Sequence, residues 1–368
     1  MPSPRTSHEP RRILIVRLSA LGDAIMTSGL IPALHARFPN AEISWLIEPA
    51  AAPLVQDNPK LTNVLLWERA SWRKLWHERR FNELLQAVKA FRRTLRSHQF
   101  DLVVDAQGLL KSSFCAWLTG APRRVVLKPR EGSHLLATES VTPPSTHDDP
   151  RISAEYRYLA RQLGAKDSDF QLDLPIHPKA ADKVQNLLDS WGHPAQLVAL
   201  CPFTTRPQKH WFEDQWSLVA QALLKKGYTP IILGGPGDQE TAERLCAQTP
   251  GVRHAAGKLK INESVALIAR CQLLIGVDTG LTHVGSALKL PTVALFGSTN
   301  PYTAGDTPLT RVLYDRLPCS PCHRHPTCHG RFDCMRQLTV ERVLTAAEEV
   351  VKFESRNTSQ ELQIKAEG

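Results

Sequence analysis

The chain has 368 residues, 42% hydrophobic and 22% charged, which is typical of a folded globular protein and excludes a disordered one. Its length predicts two domains, no stretch approaches the ~18–20 apolar residues of a membrane span, and the N-terminus shows no secretory signal. The 45 Lys and Arg against 36 Asp and Glu give a net charge of +9, which favours anionic partners: phosphorylated substrates, nucleic acid or an anionic membrane.

The first half of the chain alternates strand and helix patterns. Apolar runs predict strands at residues 12–18, 41–47 and 100–108, and helical spacing follows the first strand from Asp23 to about Phe38. Each strand is a nearly continuous apolar run. The pattern therefore predicts a parallel sheet covered on both faces.

The alternation stops in a Pro-containing stretch and then restarts. Further strands are predicted at residues 197–203, 228–235, 271–280 and 291–297, and an amphipathic helix at 338–353. We therefore predict two doubly wound α/β domains. They span residues 1–175 and 197–353, with a linker over 176–196 and a disordered tail over 354–368.

Ligands of open parallel sheets bind beyond the carboxyl ends of the strands, so the turns after the strands are candidate sites. The turn GVDTGLTHVGSAL, residues 276–288, runs from a strand through Asp278 into a helix that begins near Thr279 to Leu281. Free backbone N–H groups at a helix start bind anions, and Gly280 allows a phosphate to approach closely. Asp and Thr also cap helices well, so a simple helix cap is the alternative.

A second turn of the same half, residues 201–211, carries the hydroxyls of Thr204 and Thr205 and the cations of Arg206 and Lys209. These groups suit a diphosphate, and a polar surface loop is the alternative.

The Gly-rich turn at residues 233–240 offers Asp238 or Glu240 to ribose hydroxyls. A tight turn followed by a solvated acidic helix start is the alternative. Neither half has a G-x-G-x-x-G after its first strand, and the chain has no P-loop motif.

Two turns of the first half have a similar form. In RLSALGDAIMTSGL, residues 17–30, Asp23 is either a helix cap or a carboxylate placed as a general base. In DAQGLLKSS, residues 105–113, Gln107, Gly108 and Lys111 follow the carboxyl end of a strand.

Residues 69–98 hold nine Lys or Arg against two Glu, interleaved with Trp72, Trp76, Phe81 and Phe91. Such a segment can lie on an anionic membrane or bind nucleic acid. The alternative is a surface helix whose aromatic side chains belong to the core.

Four of the eight Cys residues lie close together near the C-terminus: Cys319, Cys322, Cys328 and Cys334. With neighbouring His residues they could form a structural metal site, for zinc or iron, although the later spacings are looser than in common zinc ribbons. Reduced thiols are the alternative, and a disulfide is disfavoured in a cytosolic chain.

Taken together, the turns resemble the ADP-heptose:lipopolysaccharide heptosyltransferases of glycosyltransferase family 9. The resemblance extends from about residue 11 to 350 and rests on five segments in order. They are RILIVRLSALGDAIMTSGLIPAL, DAQGLLKS, TTRPQKHW, VDTGLTHVGSAL and PTVALFGSTNP. It implies a GT-B fold, in which two Rossmann-like doubly wound domains face a central cleft, with the acceptor on the N-terminal side and the nucleotide-sugar on the C-terminal side.

The resemblance also implies roles for individual residues. Asp23 matches the catalytic carboxylate, and Asp238 aligns best with the ribose-binding acid. The other implied donor contacts are Thr204, Thr205, Lys209, Asp278, Thr279, Gly280, Leu281 and His283. The acceptor-binding cations align poorly, and Arg17, Gln107 and Lys111 are the candidates for that role.

The implied activity is inverting transfer of heptose from ADP-heptose to the lipopolysaccharide inner core, on Kdo–lipid A or a heptosyl acceptor. It would take place at the cytoplasmic face of the inner membrane, in peripheral contact with anionic lipid, with no nucleic-acid partner and no cofactor needed for catalysis. Transfer to a protein or another surface glycan is the first alternative, and non-catalytic binding of a nucleotide-sugar or nucleic acid is the second.

Overall fold

The computed structural model describes residues 9–144, 149–299, 303–323 and 325–367, with side chains described as far as Arg356. The chain divides into two compact units. The first comprises residues 1–145 and 153–175, and the second comprises residues 146–152 and 176–368.

The first unit is a parallel sheet with helices between its strands. The strands are β1 (Arg12–Val16), β2 (Glu42–Ile47), β3 (Asn63–Leu66), β4 (Leu102–Asp105), β5 (Arg123–Leu127) and β6 (Glu139–Val141). The helices are α1 (Leu21–Thr27), α2 (Leu30–Arg37), α3 (Arg69–His77), α4 (Phe81–Ser97), α5 (Leu110–Leu118) and α6 (Ala154–Gln162). The sheet order is β3-β2-β1-β4-β5-β6, so β1 is a central strand.

Burial explains the apolar runs of this sheet. In β1, Ile15 pairs with Trp45 of β2 and with Val104 of β4, and all three side chains are fully buried. Both faces of the sheet are covered, as the continuous apolar pattern predicts.

The helix predicted from Asp23 to Phe38 is two helices, α1 and α2. The physical reason is Pro32, which lies near the start of α2. A proline has no N–H to donate, and its ring clashes with the carbonyl group four residues earlier, so a single continuous helix is disfavoured at this position.

The second unit has the same plan. Its strands are β7 (Leu197–Cys201), β8 (Thr229–Ile232), β9 (Arg253–His254), β10 (Leu273–Val277), β11 (Thr292–Phe296) and β12 (Thr310–Tyr314). Its helices are α7 (Pro178–Ser190), α8 (Glu213–Lys225), α9 (Gln239–Gln248), α10 (Ile261–Ile268), α11 (Gly280–Ala287), α12 (Asp333–Arg336) and α13 (Val340–Glu367). All pairings are parallel, in the order β12-β11-β10-β7-β8-β9.

Two of the predicted boundaries differ from the structure. The segment 176–196, expected as a linker, contains α7, whose Ala180, Val184 and Leu188 are buried. The tail expected to be disordered over 354–368 continues α13 as far as Glu367, and Gly368 lies outside the described residues. Within the described part of the chain, no helix combines the length and apolarity needed to cross a bilayer.

Candidate functional site

The strand order of the second unit brings two predicted turns together. β10 pairs with β7, with Gly276 opposite Cys201, so both strands end at the same edge of the sheet. The turn after β10 carries Asp278, and the turn after β7 carries Thr204 to Lys209. The sequence identified both turns, but their adjacency follows from the pairing.

Asp278 is the centre of the contacts at this edge. Its Oδ2 lies 2.5 Å from Lys209 Nζ and accepts a hydrogen bond of 2.6 Å from the Thr299 hydroxyl. His283 Nε2 lies 3.9 Å from Asp278 Oδ1. The Lys209 and Asp278 side chains are only 16% and 13% exposed, so their attraction is less screened than that of a surface pair. Thr299 was not singled out from the sequence.

The helix start next to Asp278 has the features of an anion site. α11 begins at Gly280, and Thr279 precedes it in extended conformation with no side-chain capping bond. Of Asp278 and Thr279, the two residues offered as a helix cap, Thr279 therefore makes no capping bond. Helix α11 packs close to β10. The Thr282 hydroxyl donates to Val277 O at 2.6 Å, and the packing leaves no room for a side chain at Gly276, where a Cβ would lie 2.2 Å from that hydroxyl.

Two side-chain hydrogen bonds to backbone carbonyl groups fix the conformation of the turn after β7. His210 Nε2 lies 2.8 Å from Thr204 O, and the buried Gln208 donates to His323 O at 2.9 Å. Thr205 is exposed and Lys209 is half-buried, so both offer polar groups from an anchored loop.

One oxygen of Asp238 stabilises its own turn. Asp238 Oδ2 accepts the Gly235 N–H at 2.8 Å, as the tight-turn alternative predicts. A ribose contact through the carboxylate stays a prediction, and Glu240 is exposed on the following helix.

In the first unit, Asp23 lies in the first turn of α1, with its side chain 39% exposed. Its carboxylate forms an ion pair with Arg17 and accepts the Ala20 N–H at 3.5 Å. The contact with the Ala20 N–H is a capping contact, as the capping alternative predicts, and the carboxylate is still accessible to solvent.

Arg17 is buried, and both of its Nη nitrogens contact protein groups. Its Nη1 donates to Ala106 O at 2.8 Å, its Nη2 contacts Asp23, and the Tyr156 ring lies 5.7 Å from its Cζ. These contacts revise the role expected for Arg17. The guanidinium holds Asp23 and is not presented as a free cation for an acceptor.

Gln107 is also a structural residue in this unit. It is buried, and its Oε1 accepts the Leu18 N–H at 3.0 Å. Lys111 is more accessible, with Nζ 3.4 Å from Glu48 Oε1 and 3.3 Å from Ser19 Oγ. Of the three acceptor candidates, Lys111 alone presents a partly exposed cation.

A buried carboxylate that the sequence analysis did not single out organises the turn after β4. Asp105 accepts hydrogen bonds from the N–H groups of Gln107 and Gly108 and from the hydroxyls of Ser112 and Ser113. Burial raises the pKa of the Asp105 carboxyl, and these hydrogen bonds act in the opposite direction. Gly108, at φ +68°, is required because a Cβ there would lie 2.1 Å from Leu127 O.

The four clustered cysteines are free. Burial raises the pKa of the Cys334 thiol to about 11, and Cys319, Cys322 and Cys328 add to this rise. Among the described side chains, no three or more His, Cys, Asp or Glu residues are grouped as ligands of a metal ion.

Two Rossmann-like units, each a six-stranded parallel sheet, are typical of GT-B glycosyltransferases. The family model for glycosyltransferase family 9 (heptosyltransferase) matches residues 88–332. The chain therefore belongs to glycosyltransferase family 9.

Known proteins agree with this assignment. The chain is 32% identical to lipopolysaccharide heptosyltransferase 1 of Pseudomonas aeruginosa, over 92% of this chain and 97% of that protein. The fold is similar to that of the family 9 glycosyltransferase from Veillonella parvula, with a TM-score of 0.78, 22% identity, and coverage of 93% of this chain and 97% of that one. It is also similar to E. coli heptosyltransferase WaaC solved with ADP-2-deoxy-2-fluoro heptose, with a TM-score of 0.70, 24% identity, and coverage of 92% and 99%.

Proposed function

We propose that this glycosyltransferase moves heptose from ADP-heptose to the inner core of lipopolysaccharide, onto Kdo–lipid A or a heptosyl residue. The observation that carries the proposal is the Lys209–Asp278 pair beside the uncapped start of α11. A cation next to free N–H groups suits a diphosphate, and a carboxylate beside them suits the hydroxyls of a sugar. The name of the P. aeruginosa relative supports the transfer of heptose to a lipopolysaccharide acceptor.

On the donor side, Lys209, Thr204, Thr205 and the N–H groups at the start of α11 hold the diphosphate. They also stabilise the negative charge that grows on it as ADP leaves. Asp278 and His283 contact the heptose, and Asp238 accepts from the ribose. In this proposal no step passes through a metal ion, because Lys209 and the helix start supply the positive charge.

On the acceptor side, Asp23 is the general base. The acceptor hydroxyl attacks the anomeric carbon, the bond to the ADP oxygen breaks with inversion, and Asp23 takes the hydroxyl proton. Arg17 is a positioning residue, since it holds the Asp23 carboxylate through a buried guanidinium. Lys111 faces the acceptor as a cation that is partly exposed.

An acceptor built on lipid A is anchored in a bilayer by its acyl chains. The enzyme that extends it would therefore act in peripheral contact with the cytoplasmic face of the inner membrane.

The deciding experiment measures ADP release from ADP-heptose with Kdo–lipid A, with Kdo–lipid A already carrying one heptose, and with no acceptor. Acceptor-dependent release that Asp278→Ala abolishes supports the proposal. ADP release only with a protein or another glycan would show that this molecule is the acceptor. Binding of ADP-heptose without release of ADP would indicate a non-catalytic protein.

We propose that the cysteine segment has a structural role and takes no part in the transfer. Thiols are ligands that zinc and iron accept, and four Cys residues lie within sixteen residues of sequence, from Cys319 to Cys334. About one zinc or iron per purified chain, lost together with thermal stability in Cys319→Ser/Cys322→Ser, would assign a structural metal. If the chain holds no metal, has normal stability and shows four titratable thiols in this segment, the cysteines are reduced and bind no metal.

A further inference from the structure

The hairpin formed by α3 and α4 divides its aromatic side chains between two faces. The inward face packs on the core of the first unit, where Trp72 meets Trp67 and Phe91 edge to face, with ring centroids 5.5 and 5.4 Å apart. These residues behave as the core alternative predicts.

The outward face carries a second apolar set. Trp76, Phe81 and Leu85 are 61%, 52% and 52% exposed, and the Trp76 and Phe81 rings contact each other with centroids 5.4 Å apart. Large apolar side chains grouped on a surface are typical of an interaction site. We call these three residues the apolar tip.

Basic side chains continue from the apolar tip along α4. A groove on this helix is lined by Gln86, Lys89, Arg92, Arg93 and Arg96. Phe81, Leu85 and Lys89 are spaced four residues apart in α4, so the apolar tip and the groove lie on the same side of the helix.

The acidic groups of the hairpin do not neutralise this groove. Both of them, Glu78 and Glu83, pair with Arg80, at 2.9 and 2.6 Å. Within the described part of the chain, no carboxylate lies within ion-pair distance of Lys89, Arg92 or Arg93.

The hairpin starts at the sheet edge that carries Asp23. Helix α3 follows β3, and its first residue, Arg69, lies 3.7 Å from Glu48. Glu48 also contacts Lys111, which in turn contacts Ser19 in the turn that leads to Asp23.

We propose that the α3–α4 hairpin is the surface by which the protein docks on an anionic lipid bilayer. The apolar tip enters the headgroup region, where Trp and other amphipathic rings are favoured, and the basic groove lies against the lipid phosphates. This inference rests on the proposed function, since that function requires a lipid-anchored acceptor. A single-stranded nucleic acid is less suited, because the aromatic rings are grouped at one end and are not interleaved with the groove cations.

The test is co-sedimentation of the full chain with vesicles containing phosphatidylglycerol, compared with vesicles of phosphatidylcholine alone. Trp76→Ser/Phe81→Ser/Leu85→Ser removes the tip, and Lys89→Gln/Arg92→Gln/Arg93→Gln removes the groove charge. Leu135→Ser/Ile176→Ser/Leu218→Ser is the matched apolar control, since these side chains are also exposed. Lys166→Gln/Lys179→Gln/Lys225→Gln is the matched charge control on exposed lysines.

Each hairpin variant should weaken binding to anionic vesicles by roughly tenfold or more, and the control variants should not. Binding of the unaltered chain should fall steeply as salt rises. ADP release with a de-acylated, water-soluble acceptor should be unchanged in both hairpin variants, because that acceptor needs no membrane.

Equal binding to both kinds of vesicle, or equal losses in the controls, would overturn the proposal. So would loss of activity on the water-soluble acceptor, which would assign the groove to the acceptor's own phosphates. A change of oligomeric state in the tip variant, measured by light scattering, would assign the tip to a second copy of the chain. Vesicle binding by a chain that releases no ADP would contradict the proposed function and still support the docking surface.

Discussion

Lys209 and Thr299 both contact the same oxygen of Asp278, at 2.5 and 2.6 Å. The Thr299 hydroxyl can therefore keep Asp278 in place when Lys209 turns toward a diphosphate. In the proposed mechanism, Asp278 contacts the sugar, Lys209 balances the charge of the diphosphate, and Thr299 keeps the Asp278 carboxylate in place.

Removing the Lys209 cation should impair use of the donor. Lys209→Ala is expected to lower kcat/KM for ADP-heptose by ~10²-fold or more, because a charge-assisted contact is worth a few kcal/mol. Lys226→Ala is the control, since Lys226 forms an exposed ion pair with Glu348 in the same unit. Equal kinetics in the two folded variants would remove Lys209 from the donor site.

The Thr299 hydroxyl should matter through Asp278. Thr299→Val keeps the side-chain shape but removes the hydroxyl that donates to Asp278. The affinity for ADP-heptose should therefore fall by about tenfold, as expected for one hydrogen bond to a charged group. Isothermal titration with ADP-heptose measures this loss. Thr299→Ser retains a hydroxyl and should restore most of the affinity, whereas a Ser variant as weak as Val would contradict the role.

Asp23 is expected to act through its proton-accepting oxygen. Asp23→Asn should lower kcat by ~10²–10⁴-fold, the usual contribution of a general base. The affinity for ADP-heptose should stay nearly constant, since Asp23 lies in the first unit and the residues proposed to bind the donor lie in the second. Asn also caps helices, so a residue that only caps would leave kcat near normal.

Arg17 should act on kcat through the position of Asp23. Arg17→Lys keeps the charge but lacks the second nitrogen that reaches Ala106 O, and we expect kcat to fall by roughly tenfold at unchanged KM for ADP-heptose. Arg17→Met should lower kcat further. A loss of thermal stability in both variants with normal kcat would make Arg17 purely structural.

Asp105 should contribute to stability. Asp105→Ala leaves two buried N–H groups and the Ser113 hydroxyl without their acceptor, and should lower the free energy of unfolding by about 2–4 kcal/mol. Asp101→Ala is the matched control, because Asp101 accepts two backbone N–H groups nearer the surface, and it should cost less. Urea unfolding of both variants measures the difference.

Seven of the twelve strands that the structure describes were predicted from local pattern. The other five, β3, β5, β6, β9 and β12, were not, because their side chains are less continuously buried. Continuous apolar runs predicted β1, β2, β4, β7, β8, β10 and β11, and burial on both faces of each sheet explains why the runs are continuous. The prediction was wrong at α7, where Pro175, Pro178 and Pro194 suggested a linker. Pro178 stands in the first turn of that helix, where a missing N–H costs nothing.

The sequence by itself determined which turns are candidates for binding phosphate and sugar, because residue type and position after a strand are local properties. Only the tertiary structure decided which side chains meet. The contact of Lys209 with Asp278 depends on the pairing of β7 with β10, and the burial of Arg17 depends on β4 lying beside β1. The same limit applies to Trp72 and Trp76, which are both aromatic residues of one basic helix. Packing of that helix against the core partly buried Trp72 and left Trp76 exposed.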